Sequence, residues 1–214
     1  MTFKQKIENF WYYNKWFVII GGIFAAFFIT ALVQIITKVE SDVDIMYIGP
    51  SQIASANSSD IQDGVAAVME HDFNDDGEIF VRILAFRVYT KGAQGEADEF
   101  QKGEIEGYTT ELIAGDSTIL LLDPIVYEGL KKDGIIMPLK DVLGEEADFS
   151  DDGYALKLSE LSIYKKSGFS SLPEDTLLCV KYPRSFALFD RESALEKHEF
   201  NLQVFKWIYE ACKK

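Results

Sequence analysis

Histidine, cysteine and proline are all scarce in this 214-residue chain: two, two and five residues respectively. His71 and His198 sit in no H-E-x-x-H or zinc spacing, and both read as helix-surface residues. There is no G-x-S-x-G and no phosphate-cradling glycine loop. The common hydrolase, zinc and nucleotide chemistries therefore lack a motif, and the chain reads as non-catalytic, with no cofactor. Cys179 and Cys212 cannot build a disulfide framework, and no C-x-x-C is present. Cys179 lies in the apolar run LLCV and reads as a core residue; one bridge to Cys212 stays open. No lipoprotein-type cysteine follows the apolar run near the N-terminus.

Positive charge is scarce too. There are 21 Lys and Arg against 35 Asp and Glu, for a net charge of −14. Residues 1–38 hold four lysines and one glutamate, which leaves −17 on the rest. That balance argues against nucleic acid as a partner. It suits a solvated, exported unit that meets cations or basic partners.

What the chain does have is one long uncharged run, Trp16–Ile36, WFVIIGGIFAAFFITALVQII. As a helix it spans roughly 30 Å, the thickness of a bilayer's hydrocarbon core. Thr30 and Gln34 are its clearly polar side chains. A helix pairs its backbone amides internally, as hydrocarbon requires. Lys4, Lys6 and Lys15 precede the run with Glu8, while Lys38, Glu40, Asp42 and Asp44 follow it. The positive excess predicts a cytoplasmic N-terminus. Trp11, Tyr12, Tyr13 and Trp16 gather at the same boundary, where amphipathic rings favour headgroups. The run exceeds the ~7–15-residue core of a signal peptide, and no small-x-small cleavage site follows. The expected division is a cytoplasmic tail (1–15), a transmembrane helix in the cell membrane (16–37) and an extracytoplasmic domain (38–214).

Beyond the run, strands and helices alternate. VDIMYIG (43–49) is apolar and β-branched, and reads as a buried strand. A helix with a Ser59–Gln62 capping box carries Ile61, Val65, Val68 and Met69 on one face. EIFVRILAFRV (78–88) is the next strand. Residues 96–114 form a weaker helix with a stripe of Phe100, Ile105, Tyr108 and Leu112, and Gly115 lies past its end. TILLLD (118–123) follows, then a helix capped by Asp123 and Pro124 and closed at Gly134. IIMPLKDVLG gives a short strand or turn and a brief helix. After the acidic loop 145–152 come two strand-like stretches, 155–165 and 176–189. Ser193 and Glu196 then cap a terminal helix with Phe200, Val204, Trp207, Ile208 and Ala211 facing inward. This order predicts a single α/β domain with a mixed, mostly parallel sheet flanked by helices.

Two candidate sites follow. Asp72-Phe73-Asn74-Asp75-Asp76-Gly77 matches the start of a calcium loop, but position twelve is Ile83, not glutamate. It reads either as a helix-to-strand turn or as a weak calcium site on Asp72, Asn74 and Asp76. Calorimetric titration decides between them: the calcium reading expects heat at millimolar calcium, and its absence ends it. The second candidate lies outside the carboxyl ends of the parallel strands, where open α/β sheets hold ligands. Ser51, Gln52 and Thr90 there can hydrogen-bond a small molecule, Tyr89 and Tyr127 can stack on one, and Asp123 completes the set.

The run 111–143, ELIAGDSTILLLDPIVYEGLKKDGIIMPLKDVL, resembles a segment of extracellular solute-binding proteins of the type II periplasmic-binding fold. Ala114, Gly115, Asp116, Tyr127, Gly134, Pro138, Leu139, Asp141, Val142 and Leu143 carry the match. Ser117-Thr118 departs from the family's proline-aspartate. In that family ligand is gripped by hinge closure between two lobes. The roughly 70 residues after Leu143 suffice to finish one lobe and not to build a second. The resemblance thus implies one solute-binding-like lobe on a membrane anchor, acting as a non-catalytic binding or interaction module. Its alternative is a solute-capturing component of an ABC importer, partnered by the importer permease.

Overall fold

A single helix, α1 (Phe3–Ile36), occupies the first part of the chain. Its stretch Phe10–Val33 is long and apolar enough to cross a membrane, and none of it is buried. At 1.5 Å per residue those 24 residues measure about 36 Å. The helix begins well before the expected boundary at Trp16 and takes in Trp11, Tyr12, Tyr13 and Lys15. The rings are apolar enough to extend the span, and a lysine near its end can reach the headgroups along its own stem.

The computed structural model describes residues 2–36, 40–89, 97–144, 152–166, 168–183 and 191–213. Met1–Glu40 and Ser41–Lys214 form two compact units. The second is built on a five-stranded sheet. In chain order it holds β1 (Val43–Gly49), α2 (Ser55–Ala66), β2 (Val81–Arg87), α3 (Ala97–Ala114) and β3 (Ile119–Leu122). Then come α4 (Pro124–Lys132), α5 (Leu139–Leu143), β4 (Ala155–Lys157), α6 (Ser162–Lys166), β5 (Leu177–Val180) and α7 (Arg191–Lys213).

The strand order is β2-β1-β3-β5-β4. β1 pairs in parallel with β2 and β3, with Ile45 opposite Ile83 and Ile119. β5 runs antiparallel to both β3 and β4, so four of the five strands share one direction. The sheet is mixed, as expected. β1 is buried at all seven positions, because helices cover both faces of the sheet. Val43, Ile45 and Tyr47 face α2 and α7 through Ile61, Val65, Val204, Phe205 and Ile208. Met46, Ile48, Leu120 and Leu122 face α3 and α4 through Tyr108, Leu112, Tyr127 and Leu130. Period-two alternation along β1 thus feeds two separate cores.

Several expected elements shift. The stretch 155–165 is a strand for three residues only. It then turns through a short 3-10 segment, Leu158–Glu160, into α6. Leu158 and Ile163 still bury in the core, so the apolar positions fit a turn and helix as well as a strand. α2 starts a full turn before Ser59, whose hydroxyl bonds back to the Ser55 carbonyl at 3.2 Å instead of capping. α7 starts before Ser193, at Arg191. Ile105 of α3 is exposed, not part of the inward stripe. Asp123 caps α4 as expected, accepting from the Ile125 amide at 2.9 Å, and Gly134 closes it with φ of +72°. Thr90, the acidic loop 145–151, residues 184–190 and the side chains of Phe100 and Cys212 lie outside the described residues.

Candidate functional site

β1 leads its chain to β2 on one side, while β3 lies on the other. A crevice between diverging crossovers therefore belongs at the carboxyl ends of β1 and β3. Tyr47 dominates this edge. Its ring runs over Gly49, and its hydroxyl accepts a bond from the Ser51 amide at 3.1 Å. Burial raises the Tyr47 hydroxyl above its ordinary range; the charges of Asp123 and Asp175 push in the same direction. Ser51 and Asp123 therefore flank one buried phenol. Gln52 is exposed, with its amide oxygen 3.5 Å from the Arg87 guanidinium. Arg87 lies over the Tyr89 ring at 4.7 Å. Ser51, Gln52, Tyr89 and Asp123 thus all line the carboxyl edge. The Ser51 amide and one Asp123 oxygen already serve structural bonds.

Tyr127 departs from this group. Its ring is buried in the core beneath α4, and its hydroxyl donates to Asp152 at 2.5 Å. Lys131 reaches the same carboxylate at 2.7 Å and lies 4.9 Å over the Tyr154 ring. Burial alone raises Asp152, but the bonds from Lys131 and Tyr127 outweigh it and hold it at about 2. Burial and the same carboxylate push the Tyr127 hydroxyl far up. This cluster clasps the chain before β4 to the side of α4 and offers no open ring for a ligand to stack on.

Asp72, Asn74 and Asp76 do gather in one turn. Asp72 accepts from the Gly77 amide, Asn74 from the Asp76 amide, and Asp76 from the Glu78 amide and the Asn74 side chain. Asp75 and Gly77 take positive φ there, +55° and +84°, as Asp and Gly do in tight turns. Fully buried Asp42 ties down both ends of the turn, accepting from the amides of Phe73 and Phe80 at 2.8 and 2.6 Å. Among the described residues no group of three or more His, Cys, Asp or Glu could hold a metal ion.

A polar cluster that sequence reasoning missed lies at the opposite, amino edge of the sheet. Asp44, fully buried in β1, accepts both guanidinium bonds of Arg82 at 2.7 and 2.9 Å and the Ser41 hydroxyl at 2.6 Å. Lys197 of α7 adds its ammonium at 3.5 Å. Beside it, Gly115, Asp116, Thr118, Lys181, Ala194, Lys197 and His198 line a shallow cleft. Lys181, buried just past β5, donates to the Leu112 and Gly115 carbonyls at the end of α3. His198 was expected at a helix surface and is buried, with Nδ1 3.1 Å from the Thr118 hydroxyl. Burial first, and the Lys181 charge second, lower its imidazole to about 4, so it is neutral at pH 7. One signal was available: Asp44 inside an otherwise apolar strand, with a second carboxylate, Asp42, just before it. Burying a charge is costly unless it is paired, so such a pair announces partners elsewhere.

The polar groups of both edges mostly hold elements together. Among the described residues the open chemistry at these two edges consists of hydrogen-bond donors and acceptors. No family model, curated protein or solved structure matches this chain.

Proposed function

We propose that this chain is a single-pass membrane protein whose α/β unit stands outside the cell as a non-catalytic binding and interaction module, built like one solute-binding lobe. The observation that carries this reading is the exposed apolar stretch Phe10–Val33 joined to an acidic, sheet-based unit. Lysines on its N-terminal side and the ring belt Trp11, Tyr12, Tyr13 and Trp16 support an inward-facing N-terminus. Binding is favoured over catalysis because the histidine and tyrosine groups with shifted acidity, His198, Tyr47 and Tyr127, are all engaged in bonds internal to the fold.

Cysteine labelling tests the placement, with the fully buried Cys179 left in place. In a Cys212→Ser background, Glu128→Cys on the exposed face of α4 is expected to react with an impermeant maleimide on intact cells. Gln5→Cys is expected to react only after permeabilisation. The reverse pattern would overturn the reading. Turnover of any substrate in a broad hydrolase screen would overturn its non-catalytic half.

A further inference from the structure

The terminal helix α7 is held very unevenly. From Asn201 onward it buries Asn201, Val204, Phe205, Trp207, Ile208 and Tyr209. In its first nine residues, 191–199, His198 alone is buried. This half meets the sheet through polar contacts: Lys197 to Asp44 at 3.5 Å and His198 to Thr118 at 3.1 Å. Segments with little buried apolar surface open locally at low free-energy cost.

We propose that residues 191–199 of α7 form an acid-released flap: a proton on His198 detaches them from the amino edge of the sheet while the rest of the helix stays docked. The charged groups around the imidazole come from each element at the cleft. Lys181 stands at the end of β5, Lys197 on α7 itself and Asp116 on the turn between α3 and β3, with the uncharged Thr118 hydroxyl leading into β3. Asp116 favours the proton. Burial and the Lys181 ammonium oppose it, and they prevail, lowering the docked imidazole to about 4. Once the flap opens, the imidazole regains its ordinary value near 6.5. Above pH 6.5 both states carry a neutral ring, and pH does not bias them. Between about 6.5 and 4 the open state binds the extra proton, so opening grows as pH falls. At pH 5 the two values give an opening equilibrium about 30-fold larger than at pH 8.

Amide hydrogen exchange on the detergent-solubilised full chain, corrected for intrinsic rates, reads this directly. Protection of amides 195–199 is expected to fall about 30-fold from pH 8 to pH 5, while β1 and residues 204–209 keep theirs. An unchanged flap, or an equal loss across β1, would overturn the proposal. His198→Asn keeps a hydrogen-bonding partner for Thr118 without a titrating ring, and is expected to abolish the pH response. A response that persists in this variant overturns the flap. Should that variant not fold, His71→Gln leaves His198 as the sole imidazole for an NMR titration. A midpoint between about 4 and 6.5, accompanied by the loss of protection at amides 195–199, supports the flap, and one near 6.5 overturns it.

Discussion

Asp44→Ala should lower the stability of the sheet unit by about 2–4 kcal/mol, read as a drop in the urea midpoint without a change in slope. The carboxylate is fully buried, and three hydrogen bonds converge on it, two from Arg82 and one from Ser41, with the Lys197 ammonium paired to it at 3.5 Å. Removing one member of such a group leaves the others desolvated, which typically costs more than the group contributes when intact. The loss falls below the top of the usual range because Arg82 is 48% exposed and can turn to water. Asp44→Asn keeps the shape and one acceptor, and should cost about half as much. Arg82→Ala is the informative partner. It leaves Asp44 sealed with Ser41 and Lys197 as its remaining partners, so the double variant should be more stable than the sum of the singles by about 1–2 kcal/mol. A loss under 1 kcal/mol for Asp44→Ala would show that the cluster does not stabilise the sheet.

Asp44 also marks how far the residues alone could be read. The strand 43–49 was legible from its apolar, β-branched run, and the structure buries every position of it. The partner of its one mid-strand charge sits 38 residues away at Arg82, on a strand whose register follows from packing, not from local composition. The same limit hid the amino-edge cleft, which joins the α3–β3 turn, the end of β5 and the first half of α7. Caps with a rigid signature were readable, such as Asp123-Pro124 and Gly134. Capping boxes were not, because Ser59 bonds equally well to a carbonyl four residues back inside a helix. Topology put Ser51, Gln52, Tyr89 and Asp123 at the carboxyl edge, where the structure has them; Thr90 lies outside the described residues, and Tyr127 departs from the edge. Its position one turn into α4 carries the ring beneath the helix and onto Asp152.

The carboxyl edge yields the second large effect, at Gly49. A Cβ built there would lie 2.5 Å from the Tyr47 hydroxyl oxygen, 2.7 Å from Cζ and 3.0 Å from Cε2. Tyr47 is fully buried, so its rigid ring has no empty volume to enter. Gly49→Ala must therefore push the ring off the Ser51 amide or bend β1, and the pairing of β1 with β2 and β3 resists the bend. Overpacking a tight site and losing one partly buried hydrogen bond together cost about 2–3 kcal/mol. Tyr47→Phe tests the bond alone, since it only removes the acceptor from the Ser51 amide, and should cost about 1 kcal/mol. Tyr47→Leu opens a cavity, and its cost depends on how far the core closes around it. The two changes together separate crowding from every other explanation. With leucine at 47 the space above Gly49 is vacant, so adding alanine at 49 should cost almost nothing further. A Gly49→Ala loss that stays the same on the Tyr47→Leu background would mean that backbone conformation, not the ring, demands glycine at the end of β1.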